Sequence, residues 1–366
     1  MKVCHVTSVH PRNDVRIYHK EIKSLQNNGY EVFFIVADGK GNDIENTIYD
    51  VGKPANKIVR FLYFTQKLLK CAENIDADIY HIHDPELINF GRKIKNRGKL
   101  VIYDIHEDLP RQLLTKPYLK LLFPKFISFL VERWENKYAK DFDYLITPTA
   151  HIHKRFKCIN SNVKTVKNYP RLEEFSICES SRKSEKHVIS YVGALTEVRG
   201  ILELVDAIRD LPISLELAGI FHEKYYKKLV IKNPGWKKVH YRGYLNRQEI
   251  NELLQRSFVG IVTLYPTVNY ITSLPVKMFE YMAAGLPVIA SDFPLWKKIV
   301  EENNCGICVN PKNINQLANA INYMLHNREE AKIMGLNGRK AVMKKYNWSL
   351  EEKKLLSVYD EIGKRT

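Results

Sequence analysis

The sequence has 366 residues, of which 45% are hydrophobic and 27% charged, as expected of a folded globular protein. One compact core rarely grows to that length, so we expect two domains. No stretch approaches the roughly 18 consecutive apolar residues of a membrane-spanning helix. The first predicted strand begins at Lys2, which leaves no room for a signal peptide, and we expect a cytoplasmic protein.

The net charge of +16 favours partners that carry phosphate, whether nucleic acid, anionic lipid or a diphosphate-linked substrate. The cysteines show no disulfide spacing, and a cytoplasmic protein keeps its thiols reduced. Cys305 and Cys308 form a CxxC without a second pair, which makes a zinc site a poor interpretation. We expect a turn at Gly306 that leads into a strand.

Apolar runs alternate with amphipathic segments along the whole chain. Strands are predicted in the first half at residues 3–8, 31–37, 77–83, 100–105, 144–147 and 163–167. Strands are predicted in the second half at residues 188–192, 215–218, 239–241, 259–264 and 287–290. Helices are predicted at residues 17–28, 87–95, 202–208, 247–256, 276–284 and 350–362. This alternation predicts an α/β fold with two doubly wound parallel sheets.

Residues 171–187 are polar and aperiodic, and we interpret them as a linker. The predicted N-terminal domain then covers residues 1–170, and the predicted C-terminal domain covers 188–347. Open α/β sheets bind ligands beyond the carboxyl ends of their strands. We therefore expect strand-end residues of both domains to line a cleft.

The most informative segment is residues 273–291, SLPVKMFEYMAAGLPVIAS, which predicts a helix followed by a buried strand. Glu280 lies between Phe279 and Tyr281, and a carboxylate in such apolar surroundings needs a partner. One candidate partner is the pair of hydroxyls on a ribose, as in other nucleotide sites. The other is Lys277, three residues earlier on the same helix.

This segment resembles the carboxy-terminal signature of family 4 (group 1) glycosyltransferases, in the branch typical of capsule and O-antigen polysaccharide biosynthesis. Other branches carry two glutamates separated by seven residues, whereas here Thr272 stands at the first position and only Glu280 remains. The resemblance implies the GT-B fold, with two Rossmann-like domains and a C-terminal helix at 348–366 that crosses back to the N-terminal domain. It places the donor diphosphate at the start of the signature helix, at Ser273, Leu274, Pro275 and Val276.

A second group of residues follows the first strand of the C-terminal domain, in the segment VGALTEVRG at 192–200. Gly193 lets the backbone approach a phosphate, and Arg199 supplies a fixed positive charge, unless it faces solvent before the glycine turn. The family usually shows a basic pair here, but Ala194 occupies the first position. We therefore expect Arg199 and Lys277 to neutralise the leaving diphosphate. The resemblance adds donor contacts at Gly219 and, around the nucleobase, at Gly243, Tyr244 and Leu245.

Polar residues also follow two neighbouring strands of the N-terminal domain. The resemblance places His106 in the sugar subsite, whereas without it a surface histidine beside acids is the simpler interpretation. His81 and His83 share one face of the preceding strand, but a third metal ligand is not evident. Since GT-B enzymes need no metal, we expect no metal site and no cofactor. The catalytic residues implied by the resemblance are His106, Arg199, Lys277 and Glu280.

The N-terminal loop, TSVHPRNDVRIYHKEIKSL, resembles the longer polar loop of this branch and is expected to face the acceptor. Asp14 also fits the N-cap of the following helix, and the two roles are compatible. The candidate acceptor residues are His10, Arg12, Asn13, Asp14 and Arg16.

The resemblance implies a retaining, metal-independent hexosyltransferase that uses a nucleotide-diphosphate sugar, with UDP expected ahead of GDP. The expected acceptor is a saccharide linked to a polyprenyl diphosphate, in bacterial surface polysaccharide biosynthesis. Residues 113–138 interleave apolar and basic side chains. This pattern fits equally a peripheral surface on the anionic cytoplasmic face of the inner membrane and a core helix with lysines at its edge.

Two other classes of function have weaker support from the sequence. A sugar-nucleotide epimerase can share the scaffold, but it needs acid and base groups converging on the sugar, and only His106 and its neighbours are visible. A nucleic-acid-binding protein would explain the positive charge. The sequence shows no recognition helix and no aromatic RNA-binding strand, so we expect no nucleic-acid partner.

Overall fold

The computed structural model of the chain describes residues 1–114, 123–175 and 187–364. Contacts divide the chain into two compact units. The first contains Met1–Asn168 together with Ser349–Thr366, and the second contains Tyr169–Trp348. Each unit is built on a parallel sheet with connecting helices, which confirms the α/β class predicted from the alternating pattern.

In the described part of the first unit, seven parallel strands form one sheet in the order β3-β2-β1-β4-β5-β6-β7. The strands are β1 Lys2–Val6, β2 Glu31–Val36, β3 Ile48–Asp50, β4 Ile79–Ile82, β5 Leu100–Asp104, β6 Tyr144–Thr147 and β7 Val163–Thr165. The direction of chain progression reverses between β1 and β4. Ligands of doubly wound sheets bind at such a switch point, beyond the carboxyl ends of the strands.

The helices of the first unit follow a π-helix, Ile17–Ile22, which buries Lys20 and Glu21. They are α1 Lys23–Asn27, α2 Lys57–Ile75, α3 Ile88–Lys95, α4 Leu109–Leu113, α5 Pro124–Ala139 and α6 Ala150–Lys157. The prediction of one helix over 17–28 is confirmed in position but not in type. The π-helix has only six residues, too few for the period of its apolar side chains to distinguish it from an α-helix. β3 and α2 lie outside the predicted elements.

In the described part of the second unit, six parallel strands form a sheet in the order β10-β9-β8-β11-β12-β13. The strands are β8 Val188–Val192, β9 Ser214–Ala218, β10 Val239–Gly243, β11 Val259–Val262, β12 Val288–Ser291 and β13 Gly306–Val309. The switch point lies between β8 and β11. β13 confirms the predicted strand, and Cys305 packs in the core beside it. The turn was predicted at Gly306 but lies at Asn303 and Asn304, and Gly306 is the first residue of the strand, paired with Val288.

Helices cover both faces of the second sheet. Ile289 of β12 packs into one core cluster, whereas its neighbours Val288 and Ala290 pack into another on the opposite face. The helices are α7 Ile201–Ala207, α8 Lys224–Lys232, α9 Arg247–Gln255, α10 Val268–Ile271, α11 Val276–Ala283, α12 Pro294–Glu302, α13 Ile314–His326 and α14 Arg328–Lys345. Asn246 and Glu249 form a capping box that fixes the start of α9.

The last helix, α15 Trp348–Gly363, packs against the first unit. Tyr144 donates a hydrogen bond to Glu361 at 2.9 Å, and Lys164 contacts the same carboxylate at 2.9 Å. Phe175, within the segment interpreted as a linker, packs in a core cluster of the second unit. Residues 176–186 of that segment lie outside the described residues. Among the described helices, none is both long enough and apolar enough to cross a bilayer.

Candidate functional site

Two positive charges flank Gly193, just beyond the carboxyl end of β8. A Cβ atom built on Gly193 would lie 3.6 Å from Arg199 Nη1 and 3.6 Å from Lys277 Nζ. The φ of Gly193 is 138°, a conformation that side chains rarely adopt. The structure therefore brings together Gly193, Arg199 and Lys277, from the end of β8, the following turn and the first turn of α11.

Lys277 is buried, and its ammonium has no hydrogen-bond partner among the described residues. The Nζ atom lies 3.6 Å from the centroid of the Tyr191 ring, a cation–π contact. Burial, reinforced by the charge of Arg199, holds the pKa of Lys277 well below its usual range. A buried cation without a counter-ion is costly, and such perturbed groups are typical of ligand sites.

Two tyrosines that sequence reasoning missed complete the surroundings of these cations. Tyr191 precedes Gly193 by two residues on β8 and directs its hydroxyl to the carbonyl of Ala194 at 3.1 Å. The ring centroid of Tyr270 lies 5.8 Å from the guanidinium carbon of Arg199. The alternation of β8 places Tyr191 and Gly193 on one face, a signal that was available in the sequence.

Glu280 has a partner that neither interpretation of the sequence included. Its carboxylate accepts a hydrogen bond from Arg247 Nη1 at 2.6 Å. Arg247 also donates to Glu174, so one guanidinium bridges two carboxylates. Pairing of Glu280 with Lys277 is therefore wrong. Helical spacing identifies neighbours on one helix, but it does not reveal a partner that folding brings from the start of α9.

The carboxyl ends of β8, β9 and β10 come close together through glycines. A Cβ on Gly219 would lie 1.8 Å from the carbonyl oxygen of Gly193, and the φ of Gly219 is 145°. The backbone N–H of Gly219 donates to the carbonyl of Gly243 at 2.7 Å. After Gly243, Tyr244 is 71% exposed, whereas Leu245 packs against a core cluster.

The segment that precedes α11 is anchored by a buried indole. Trp296 Nε1 donates to the carbonyl of Ser273 at 2.7 Å, and Leu274 packs partly against the core. Pro275 is the N-cap residue, and the helix itself begins at Val276. The first N–H groups of a helix have no carbonyl partner within it, so this terminus is a suitable place for an anion.

In the first unit, His106 lies beyond the end of β5 and is only partly exposed. Its Nε2 is 3.1 Å from Asp104 Oδ2. Asp104 is buried and accepts hydrogen bonds from Arg16 at 2.9 and 2.8 Å. Burial alone would raise the pKa of Asp104, but Arg16 and His106 hold this pKa well below its usual range. The anionic Asp104 therefore fixes the orientation of His106. His106 is thus not the freely exposed surface histidine of the simpler interpretation.

His10 joins His106 at the same end of the sheet, with ring centroids 4.7 Å apart. His10 also contacts two carboxylates, Asp14 at 3.3 Å and Asp84 at 3.5 Å. Burial alone would lower the pKa of His10, but the hydrogen bond with Asp14 and the charge of Asp84 raise it. Two of the predicted polar residues thus lie beside the switch point.

Of the remaining residues of the N-terminal loop, Arg12, Asp14 and Arg16 have structural partners. Arg12 forms a bidentate pair with Asp38, at 2.8 and 2.7 Å. Asn13 is exposed, and Asp14 accepts the backbone N–H of Arg16 at 2.8 Å, as predicted for a residue at the helix start. Arg16 is buried and bound to Asp104, so the structure removes it from the acceptor-side residues and makes it a support for His106.

His81 in β4 and His83 just after it contact residues that the sequence did not identify. His81 and His83 lie on one face of the sheet, as predicted, and His5 of β1 and Glu21 of the π-helix lie against them. His83, Asp104 and His106 form a second, overlapping group. Burial is the main reason that the pKa of His83 falls to about 4.

Two sequence-family models match the chain, one in each half. The model described as Glycosyltransferase Family 4 matches residues 16–168, and the model described as Glycosyl transferases group 1 matches residues 173–341.

Curated relatives carry the same kind of description. An uncharacterized glycosyltransferase of Methanocaldococcus jannaschii is 29% identical over 176 residues, which are 47% of this chain and 48% of that protein. Sulfoquinovosyl transferase of Arabidopsis thaliana is 23% identical over 310 residues, 80% of this chain and 58% of that protein. The matched stretches thus span about half the length of these relatives.

Solved structures share the fold over the full chain. Sucrose-phosphate synthase from Thermosynechococcus elongatus has a TM-score of 0.82 at 16% identity, with 100% of both chains covered. The Anabaena protein HepE, solved with UDP and glucose, has a TM-score of 0.76 at 14% identity, covering 99% of this chain and 100% of that one. These similarities confirm two Rossmann-like units of the GT-B type. With matches in both halves, the chain belongs to the family 4 (group 1) glycosyltransferases.

Proposed function

We propose that the protein is a retaining hexosyltransferase that takes its sugar from a nucleoside-diphosphate sugar bound by the second unit. The pair of cations around Gly193 carries this proposal, because Lys277 is buried and has no hydrogen-bond partner among the residues that the structure describes. Glu280 compensates the charge of Lys277 only in part, and a diphosphate would supply further negative charge to Lys277 and Arg199. The Anabaena protein solved with UDP and glucose shares this fold, which supports a uridine nucleotide ahead of a guanosine one.

The chemistry needs a leaving diphosphate to be stabilised as its bond to the sugar breaks. Arg199 and Lys277 would bind the diphosphate oxygens, and the N-terminus of α11 would add its backbone N–H groups. These cations make a divalent metal unnecessary at the leaving group. We therefore expect the transfer rate to be independent of added Mg²⁺ or Mn²⁺.

Glu280 is proposed to bind the ribose hydroxyls of the donor. One of its oxygens accepts from Arg247, which holds the carboxylate in place, and the ribose is assigned to the other oxygen. With Thr272 at the position of the family's first glutamate, recognition of the sugar itself falls to other residues of the site.

The donor is tested by thermal-shift measurements against a panel of sugar nucleotides. A ligand present at 100 times its Kd stabilises the protein by about 2.7 kcal/mol. We expect UDP and UDP-sugars to raise the midpoint most. A panel in which no nucleotide shifts the midpoint would contradict the proposed donor site.

The reaction is tested with Arg199→Ala and Glu280→Ala in a product assay. Loss of a group that stabilises the leaving charge lowers turnover by about 100-fold or more, and we expect this for Arg199→Ala. Arg209→Ala is the matched control, since Arg209 is exposed in the same unit. Release of UDP only when a saccharide acceptor is present supports transfer. Isomerised sugar formed without an acceptor would support the epimerase instead.

We further propose that the acceptor is a saccharide on a polyprenyl diphosphate, at the cytoplasmic face of a membrane, in surface polysaccharide synthesis. Helix α5 supports this, because its N-terminal end exposes an apolar surface. The surface comprises Phe123, Phe126, Phe129 and Leu130, which are 83%, 61%, 52% and 48% exposed. Basic side chains border it, and the guanidinium of Arg133 lies over the ring of Phe129. Residues 115–122 of the predicted amphipathic segment lie outside the described residues.

Membrane contact is tested by sedimentation with vesicles that contain anionic lipid. We expect the protein to sediment at low salt and Phe126→Ser/Phe129→Ser to remain in the supernatant. Ile333→Ser is the control, because Ile333 is equally exposed on another helix. Equal sedimentation of both variants would remove α5 from the proposal and leave the transferase assignment untouched.

A further inference from the structure

A buried group of three histidines and one glutamate lies within the first unit and has no part in the proposed donor chemistry. His5 of β1 pairs in register with His81 of β4, so both side chains leave the same face of the sheet. His83 follows His81 by two residues and shares that face, and Glu21 reaches it from the π-helix. All four residues are fully or almost fully buried.

The four side chains are close enough to share one ion. One potential ligand atom from each lies within 4.8 Å of the other three. The imidazole centroids are 4.5 Å apart for His5 and His81, 4.6 Å for His81 and His83, and 5.0 Å for His5 and His83. His5 Nδ1 and His83 Nε2 are 2.8 Å apart and form a hydrogen bond between the two rings, which a shared ion would replace. Nitrogens that converge in this way from three rings are characteristic of a coordination site.

Several polar atoms of this group are buried without a hydrogen-bond partner in the described part of the chain. They are both carboxylate oxygens of Glu21 and Nε2 of His81. Arg16 Nε lies 3.0 Å from Glu21 Oε1, but the contact does not have hydrogen-bond geometry. The charge of Arg16 partly compensates Glu21, so Nε2 of His81 is the atom that most directly indicates a further ligand, because buried polar atoms are almost always bonded.

The surrounding groups have the arrangement that orients metal-bound imidazoles. The hydroxyl of Tyr359, from α15, lies 2.7 Å from His81 Nδ1 and 3.4 Å from His5 Nε2. Asp104 Oδ2 lies 3.4 Å from His83 Nδ1. Each ring therefore has one nitrogen held by an outer partner, which leaves the other nitrogen to face the centre of the group.

We propose that His5, His81, His83 and Glu21 bind one divalent transition-metal ion, with Zn²⁺ as the preferred ion. Three imidazoles and a carboxylate suit its tetrahedral coordination, and full burial is typical of a structural site without an open position. Tetrahedral Zn²⁺ places ligand atoms about 3.3 Å apart. Rotation of these side chains must therefore separate His5 Nδ1 from His83 Nε2 and adjust the other ligand atoms, which lie within 4.8 Å of one another. The ion would join β1, β4 and the π-helix and, through Tyr359, hold α15 on the first unit.

The test is the metal content of the full-length protein, purified without metal-affinity resin and dialysed against metal-free buffer. We expect about one Zn²⁺ per chain, and a visible ligand-field absorption when Co²⁺ replaces it. His81→Gln and Glu21→Gln should lose the metal, whereas His240→Gln, on the exposed surface of β10, should keep it. Cys308→Ala should also keep it, because the CxxC is the competing thiol site.

If the variants do not fold, the wild-type protein decides the question. After unfolding in chelator and refolding with or without Zn²⁺, we expect stoichiometric uptake and a higher thermal midpoint only with Zn²⁺. A wild-type protein that holds no metal before and after this treatment would overturn the proposal and leave a buried water as the occupant. Metal lost from Cys308→Ala but retained by His81→Gln would also overturn it. Neither result bears on the donor site.

Discussion

Lys277 is the side chain of the proposed donor site whose charge is most perturbed by burial. Its burial beside Tyr191 and the charge of Arg199 disfavour the ammonium form, and among the described residues no hydrogen bond offsets this. A ligand that brings negative charge would remove the penalty, so the same residue destabilises the free protein and strengthens binding.

We expect Lys277→Met to raise the stability of the free protein and to weaken nucleotide binding. Methionine keeps the length of the side chain and removes the charge, which should add on the order of 1 kcal/mol or more to the free energy of unfolding. Loss of a charge-assisted hydrogen bond should lower the affinity for UDP by about 10- to 100-fold. Urea unfolding and calorimetric titration measure the two effects. A variant that is both less stable and unchanged in affinity would exclude the proposed role.

The stability gain of Lys277→Met should depend on pH. Because the pKa of Lys277 in the folded state lies below its unfolded value, the unfolded chain binds more protons between these two values. The stability of the wild-type protein therefore rises with pH in that window, relative to the variant. We expect the gain to be largest at pH values below the folded-state pKa of Lys277 and to fall as the pH rises towards the unfolded pKa near 10.4. Urea unfolding of both proteins across this range, where neither aggregates, measures the difference.

At the scale of elements, the ends of β8, β9 and β10 converge because glycines allow their backbones to touch. Gly219 has the strictest requirement, since a Cβ there would overlap the carbonyl oxygen of Gly193. The α11 terminus is positioned differently, through the hydrogen bond from Trp296 to Ser273. The candidate donor site thus depends on backbone approach at one edge and on side-chain packing at the other.

We expect Gly219→Ala to destabilise the second unit by about 3 kcal/mol or more, through steric overlap and a strained φ. Gly243→Ala is the control, because its φ of 65° is also positive but a Cβ there meets nothing within 4 Å. It should cost only about 1–2 kcal/mol. Thermal unfolding monitored by tryptophan fluorescence separates the two. Equal losses would show that the approach of Gly219 to Gly193 is unimportant.

At the scale of the whole molecule, the chain leaves the first unit after Asn168 and returns to it with α15. The returning helix contributes Tyr359 to the buried histidine group and Glu361 to the edge of the sheet. The stability of the first unit is therefore linked to residues almost two hundred positions away from the rest of its sequence.

A chain that ends at Trp348 should lose stability in its first unit and keep its affinity for UDP. The missing helix removes buried contacts of Leu355, Val358, Tyr359 and Ile362, all fully buried. The proposed donor-binding residues all belong to the second unit. Thermal unfolding should show a lowered first-unit transition, while calorimetry shows an unchanged Kd. A large loss of UDP binding would show that donor binding depends on the first unit.

The sequence predicted the architecture well where local patterns carry it. β6 and β8 begin and end at the predicted residues. Gly29 follows the first helical segment and has a φ of 82°. Short or irregular elements were harder. β3 has only three residues and the π-helix only six, so neither is long enough for a periodic pattern to identify it.

Sequence by itself determined the alternation of strands and helices, and hence the two parallel sheets, because side-chain periodicity is a local property. It also indicated Gly193 and Arg199 as candidate donor residues through their positions after a strand, and the family resemblance added Lys277. Only the tertiary structure decided that Arg247 is the partner of Glu280, that Arg16 supports Asp104 from inside, and that His5 and Glu21 complete the group of His81 and His83. These partners lie on different elements, and their approach depends on register and packing, which no local pattern encodes.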